Sequence, residues 1–90
     1  MLKIKPTSKF KKDLRLIAKR RRSIEPITKV INMIAAGAKL PDKYCDHSLS
    51  GGWTGFRECH IEPDWLLIYK IHNEELILTL SRTGSHSDLF

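Results

Sequence analysis

Three histidines stand in positions where their side chains can reach solvent: His47 in a loop, His60 near a strand end, and His86 in the C-terminal tail. Imidazole titrates near neutral pH, so each can give or take a proton. With the carboxylate of Asp64 and the guanidinium of Arg82, they suit RNA cleavage. In that reaction the 2′-hydroxyl loses a proton, the phosphorane needs a cation, and the leaving 5′-oxygen gains a proton. This chemistry requires no cofactor.

Register arithmetic predicts which of these side chains meet. A turn at residues 62–63 would set His60 opposite Trp65, and a turn at residues 73–74 would set Trp65 opposite Arg82. All three would then share one row on one face of the sheet, with Asp64 beside it. A three-residue loop would shift the pairing by one position and send these side chains to opposite faces.

The elements that must position this row follow from hydrophobic spacing. Residues 2–5 alternate apolar and charged side chains, as in a short strand, and an apolar stripe from Phe10 to Ala18 predicts a basic helix. A second helix is expected to start at Ser23 and to stop at Gly37. Residues 38–55 lose any period and predict a long loop, and three strands follow at residues 56–61, 65–71 and 76–81.

The predicted order is therefore β-α-α-β-β-β, an α+β fold in which a helical hairpin packs on a small antiparallel sheet. Residues 1–90 are expected to form a single domain, because 90 residues leave no room for a second. The strand from Trp65 to Tyr69 is apolar at every position. It is expected to lie inside the sheet, covered by helices on one face and by something partly polar on the other.

Basic residues are concentrated at the N-terminus. The net charge is +6, and residues 1–22 hold ten of the 16 Lys and Arg residues with a single acid, Asp13. Such a patch suits a polyanion such as RNA or an acidic partner protein. A merely solvated helix face is the alternative.

Composition excludes several other classes of protein. No run of about 18 apolar residues is present, and the charged start lacks the apolar segment of a signal peptide, so we expect a cytosolic protein. Cys45 and Cys59 are too few for a disulfide scaffold and are expected to be ordinary thiols. A metal site is the less favoured interpretation of the polar cluster, because the spacing lacks the close pairs of zinc motifs. Its ligands would be His47, His60, Asp64 and His86.

From Tyr44 onward, the sequence resembles the YafQ branch of the RelE/ParE toxin superfamily, the ribosome-dependent mRNA interferases of bacterial type II toxin–antitoxin systems. Three ordered motifs carry the resemblance: DHSL followed by GWTGFRE in residues 46–58, CHIEPDWLLIYK in residues 59–70, and RTGSHSDLF in residues 82–90. Residues 1–43 match only in layout. The resemblance implies a RelE-like fold and an endoribonuclease acting on translated mRNA.

The resemblance also implies roles for individual residues. His86 would be the main general acid, and Arg82 would stabilise the phosphorane. His47, His60 and Asp64 would supply the base, orientation or substrate contacts. The products would be a 2′,3′-cyclic or 3′-phosphate and a 5′-hydroxyl. RNA contacts are expected from a stacking aromatic, Trp65 or Phe90, and from basic helix residues facing ribosomal RNA: Lys11, Lys12, Arg20 and Arg21.

Implied partners are the ribosome with its mRNA and a small DinJ-like antitoxin, which would also supply the DNA-binding domain for operator binding. Two other functions stay open from the sequence. One is a ParE-like toxin that binds gyrase, against which the histidine set counts. The other is a non-catalytic RNA-binding or partner-binding module in which the histidines are incidental.

Overall fold

A computed structural model describes residues 1–21 and 23–90, with only the backbone described for Arg21. The chain forms the elements β1 (Lys3–Pro6), α1 (Ser8–Arg21), α2 (Glu25–Ala35), β2 (His47–Ser48), β3 (Arg57–Glu62), β4 (Trp65–His72), β5 (Ile77–Gly84) and α3 (His86–Leu89). Two 3₁₀ turns, Asp42–Tyr44 and Gly51–Trp53, flank β2.

The five strands form one sheet in the order β1-β5-β4-β3-β2. β1 runs parallel to β5, and every other neighbouring pair is antiparallel. The predicted α+β fold of helices on a mostly antiparallel sheet is confirmed. β2, by contrast, was not predicted and lies inside the segment that was expected to be a loop. Two residues are too few to show the alternating pattern of a strand.

Local sequence explains where the helices begin and end. The Thr7 hydroxyl accepts the backbone N–H of Phe10 at 3.1 Å and so caps the start of α1. α2 begins at Glu25, later than predicted, because Ser23 precedes the helix and its hydroxyl accepts the Glu25 N–H at 3.3 Å. Gly37 adopts φ +80°, the left-handed conformation expected at its predicted helix stop.

The core lies between the helices and one face of the sheet. Phe10 and Ile17 of α1 are buried, as are the stripe residues of α2. From the sheet they meet the side chains of Trp65, Leu67 and Tyr69. Within the described part of the chain, no helix is long and apolar enough to span a membrane.

β4 occupies the middle of the sheet, as its apolar sequence predicted. Leu66 and Ile68 are both buried, but they point away from the helix-packed core. They lie opposite His60 and Glu58 of β3. The second face of β4 is therefore covered by partly polar residues, which include the candidate site residue His60.

The predicted register is wrong in both hairpins. His60 pairs with Leu66 rather than Trp65, because a bulge at Ile61 places an extra residue in β3 and sets Trp65 opposite Glu62. Arg82 pairs with Ile68, because β5 begins only at Ile77 and a second irregularity shifts its register. The row of His60, Trp65 and Arg82 does not exist.

The C-terminus contains more regular structure than predicted, since the last strand was expected to end at residue 81. β5 continues to Gly84, and a short helix, α3, follows at once. The Ser85 hydroxyl accepts the Asp88 N–H at 3.2 Å, while the Asp88 carboxylate accepts the Ser85 N–H at 3.0 Å. This reciprocal capping box fixes the turn that presents His86.

Candidate active site

His47 and His60 share one buried carboxylate. Their Nε2 atoms lie 3.4 Å and 3.9 Å from Oε1 of Glu58, and their ring centroids are 6.3 Å apart. The pairing of β2 with β3 sets His47 opposite Glu58. His60 follows two positions later on β3, and alternate side chains of a strand point to the same face. We call these three residues the strand cluster.

Glu58 is unusual because a carboxylate is rarely buried unless it is paired. The residue is only 4% exposed, and within the described chain its Oε2 has no hydrogen-bond partner. Burial of a charged carboxylate is costly unless a proton or a cation lies next to it. The imidazoles of His47 and His60 are the groups that lie next to this carboxylate.

The hydrogen bond made by the second ring nitrogen of His47 indicates which tautomer the ring adopts. Its Nδ1 lies 2.6 Å from the carbonyl oxygen of Cys45. A carbonyl oxygen can only accept, so Nδ1 carries a hydrogen and Nε2 is the nitrogen that faces Glu58. When the ring is neutral, Nε2 is therefore the nitrogen that can accept a proton, and it lies beside a carboxylate that would balance the resulting charge.

A second group of site residues lies at the C-terminus. His86 is the first residue of α3, and its backbone N–H faces Oδ1 of Asp64 at 3.4 Å. Its imidazole is exposed and lies 5.2 Å, centroid to centroid, from the ring of Phe90, which is 55% exposed. We call His86, Asp64 and Phe90 the C-terminal cluster. Asp64 positions the backbone of His86, and the imidazole stays accessible to a substrate.

The sheet relates the two clusters. His60 lies opposite Leu66, and Leu66 lies opposite Gly84, two residues before His86. Adjacent strands are about 4.8 Å apart, so the backbones of His60 and Gly84 are separated by roughly 10 Å. That separation leaves room for a phosphodiester between groups reaching in from the two sides.

Arg82 makes its contacts with α1 rather than within either cluster. Its Nε and Nη2 donate to the carboxylate of Asp13 at 2.6 Å and 3.1 Å, and this hydrogen bonding raises the pKa of the guanidinium. The same carboxylate accepts the backbone N–H of Thr83 at 3.2 Å. Asp13, a lone acid in a basic segment, therefore joins α1 to the end of β5. The sequence analysis did not assign it this role.

Trp65 belongs to the core. It is 1% exposed, and its Nε1 donates to the buried Thr83 hydroxyl at 3.0 Å. Strand alternation is the physical reason, since Trp65 lies on the same helix-packed face of β4 as Leu67 and Tyr69. The prediction that Trp65 stacks on an RNA base is wrong, because its ring is not accessible. Phe90 is the remaining aromatic candidate for that role.

The family model for the bacterial toxin of type II toxin–antitoxin systems, YafQ, matches residues 2–90. The chain belongs to this family. The mRNA interferase toxin YafQ of Escherichia coli strain K12 is 36% identical over 88 residues, which cover 97% of this chain and 94% of that protein. The resemblance seen in the sequence motifs is therefore confirmed, and it extends through the N-terminal half.

Solved structures of YafQ-family proteins have the same fold. A metal-bound toxin from Helicobacter pylori is 46% identical, with a TM-score of 0.93 and complete coverage of both chains. A DinJ–YafQ complex from E. coli gives a TM-score of 0.88 at 36% identity, covering 100% of this chain and 99% of that chain. The RelE-like fold predicted from the motifs is thereby supported at the level of whole structures.

The basic residues predicted to contact RNA in this YafQ-family chain differ in their surroundings. Lys11 and Lys12 are exposed on α1. Arg20 is exposed as well, but its Nη1 lies 3.3 Å from Oδ2 of Asp88, which links α1 to α3. The side chain of Arg21 lies outside the described residues.

Glu58 is the site residue that sequence reasoning missed. A signal was present, because Glu58 and His60 are two positions apart in a run with strand character and must share a face. A glutamate that shares a strand face with a histidine can be paired, and a paired carboxylate is the kind that can be buried. The partner His47 could not be found in this way, since its strand has only two residues.

Among the residues that the structure describes, no group of three or more His, Cys, Asp or Glu side chains is arranged to hold a metal ion. Burial raises the pKa of the Cys59 thiol to about 12, so this cysteine stays protonated at neutral pH. That agrees with its prediction as an ordinary thiol.

Proposed function

We propose that this protein is a ribosome-dependent mRNA interferase, an endoribonuclease that cleaves translated mRNA in the cytoplasm by histidine acid–base catalysis. The observation that supports it most directly is the strand cluster, in which two imidazoles lie on one buried carboxylate. His86, whose side chain is exposed, follows two residues after Gly84, which lies two strands away from His60 in the sheet. The names of the YafQ relatives point to the same reaction. No cofactor takes part in the proposed mechanism.

In this mechanism each of the two clusters carries out one proton transfer. The strand cluster receives the proton of the 2′-hydroxyl on His47 or His60, and Glu58 compensates the imidazolium that forms. The 2′-oxygen then bonds to phosphorus, and the bond from phosphorus to the 5′-oxygen breaks. His86 donates its proton to that leaving oxygen. The products are a 2′,3′-cyclic phosphate and a 5′-hydroxyl.

The remaining site residues bind and orient the RNA. Asp64 positions His86, and Phe90 stacks on an unpaired base beside it. Arg82 stabilises the phosphorane. Asp13 engages Nε and Nη2 of the guanidinium, so the contact with a phosphoryl oxygen falls to Nη1.

The decisive experiment is primer extension on a defined mRNA in a cell-free translation reaction, with and without ribosomes. Wild type is compared with His86→Ala and with a matched control, His72→Ala. His72 contacts Thr79 on the neighbouring strand and belongs to neither cluster. We expect ribosome-dependent cuts from wild type and the control, and loss of most cuts in His86→Ala. A folded wild type that arrests growth without cutting RNA would instead favour a gyrase-binding toxin or a binding module.

The exposed lysines of α1 are proposed to dock the toxin on ribosomal RNA, together with Arg20 and Arg21. Contacts with phosphates release counterions and are therefore strongly salt-dependent. The double substitution Lys11→Glu and Lys12→Glu should weaken co-sedimentation with ribosomes and reduce its salt dependence. Lys29→Glu, an exposed change on α2, is the control. Equal sedimentation of all three proteins at moderate salt would contradict the docking role.

The proposed inhibitor is a small DinJ-like antitoxin. The support is the E. coli YafQ relative, which has been solved in complex with DinJ, and the basic surface that an acidic segment could cover. The antitoxin would also carry the complex to operator DNA. Co-expression of an adjacent antitoxin gene should restore growth and yield a co-purifying complex. Failure of any such protein to bind the toxin would reject this partner.

A further inference from the structure

Four residues on the side of β2 opposite to His47 form a polar network. Asp46 and Ser48 flank His47 in sequence, and both contact Arg57 of β3. The guanidinium donates from Nη2 to Asp46 Oδ2 at 3.0 Å and from Nη1 to the Ser48 hydroxyl at 2.8 Å. Arg57 thus binds the residue before His47 and the residue after it.

Tyr69 of β4 completes the network from inside the core. It lies opposite Arg57, is 2% exposed, and its hydroxyl donates to Asp46 Oδ1 at 2.5 Å. Burial raises the pKa of the Tyr69 hydroxyl, and the hydrogen bond with Asp46 acts in the same direction, so the hydroxyl keeps its proton. We call Asp46, Ser48, Arg57 and Tyr69 the Asp46 clamp.

β2 needs such support because it has almost none of its own. It contains two residues, with two paired positions on β3. Strands are usually about five residues long, and a two-residue strand fixes its position only weakly. The chain on either side is irregular apart from two 3₁₀ turns. A displacement of about 1 Å at a catalytic group can lower a rate by roughly 10²-fold.

We infer that the Asp46 clamp positions His47 against Glu58, which makes Asp46, Arg57 and Tyr69 positioning residues of the nuclease. They act through the backbone of β2, from the face of the sheet opposite to the reacting groups. This inference rests on the proposed function for the participation of His47 in cleavage. The geometry of the clamp itself does not depend on that function.

Tyr69→Phe tests the clamp by removing one oxygen atom. Tyr44→Phe is the matched control, because it removes the hydroxyl of another buried tyrosine that is not part of the clamp. We expect Tyr69→Phe to lower kcat for RNA cleavage about tenfold with little change in KM, since substrate contacts are kept. The control should stay within about twofold of wild type.

The nitrogen signals of the histidine rings provide a readout that needs no RNA. In Tyr69→Phe, the NMR signals of His47 and their pH titration should change, while those of His86 stay as in wild type. Asp46→Asn should have the same effect, and its partly exposed side chain makes it the second variant if Tyr69→Phe does not fold. Asp46→Glu, which keeps the carboxylate, should recover part of kcat.

The outcomes separate the clamp from the proposed function. Changed His47 signals in a protein whose wild type does not cleave RNA would support the clamp and reject the nuclease. Unchanged His47 signals in both Tyr69→Phe and Asp46→Asn would overturn the clamp, whatever the cleavage rate. The clamp would also be overturned if the activity of these variants fell only in proportion to the fraction of unfolded protein, as determined by urea denaturation.

Discussion

The two histidine clusters are built in opposite ways. The strand cluster rests on neighbouring strands, and its carboxylate is almost fully buried. The C-terminal cluster rests on a four-residue helix at the chain end, and its histidine is exposed. One cluster is held by strand pairing together with the Asp46 clamp, whereas the other is held by a few surface hydrogen bonds. We therefore expect the proposed base to be fixed before RNA binds and the proposed acid to adjust to it.

Of the substitutions that test this comparison, Glu58→Gln should lower the rate of RNA cleavage the most. The amide keeps the shape of the side chain but cannot balance a charged imidazole, so cleavage should fall by about 10²-fold, the scale of one general acid or base. Single-turnover cleavage assays at several pH values measure the loss. The urea midpoint should change little, because the two imidazoles next to Glu58 are partly exposed and the substitution leaves no fully buried charge without a partner.

Glu74→Gln is the control for that variant, since Glu74 is an exposed glutamate in the turn between β4 and β5. It should cleave like wild type. Wild-type activity in Glu58→Gln would show that the buried carboxylate is structural. The strand cluster would then lose its proposed catalytic role.

Asp64→Ala should have a smaller effect on the C-terminal cluster. The substitution removes the acceptor that faces the His86 N–H. One such hydrogen bond is worth about 0.5 to 1.5 kcal/mol, so we expect cleavage to slow by roughly two- to tenfold. Asp42→Ala, an exposed change in a 3₁₀ turn, is the control. A loss as large as that of His86→Ala would mean that Asp64 takes part in the chemistry directly.

Asp88→Asn should have the smallest effect, confined to α3. The hydrogen bonds with Ser85 hold the pKa of Asp88 below its usual value of 3.8. Because the pKa of Asp88 is lowered in the folded protein, its carboxylate stabilises α3 at pH values above 3.8. That stabilisation is lost as the pH falls through the pKa that Asp88 has in the folded protein. We expect a loss of about 0.5 to 1 kcal/mol in α3, typical of a helix cap.

Backbone NMR signals of residues 86–89 measure that effect. In wild type they should shift toward disordered values only at pH below about 4, whereas in Asp88→Asn the shift should already be present at neutral pH. Signals of β3 should stay unchanged in both proteins. Identical α3 signals in wild type and variant would show that the capping box does not hold the C-terminal cluster.

Much of the fold could be predicted because its signals are local. The stripe of α2 and the continuous apolar run of β4 each dictate burial. The register could not be predicted, since a bulge at Ile61 depends on how β3 and β4 pack against the helices. That single extra residue separated His60 from Trp65, so the two side chains lie on opposite faces of the sheet.

The candidate site, like the fold, could be predicted only in part. His47, His60, His86 and Asp64 were found from residue type and motif, because titratable groups in loops and at strand ends stand out in a sequence. The sequence by itself determined the longer helices and strands, the family and this set of chemical groups. Only the tertiary structure decided their partners, such as Glu58 for His47 and Asp13 for Arg82, which lie 11 and 69 positions apart. Contacts between distant positions depend on strand pairing and packing, and no local pattern records them.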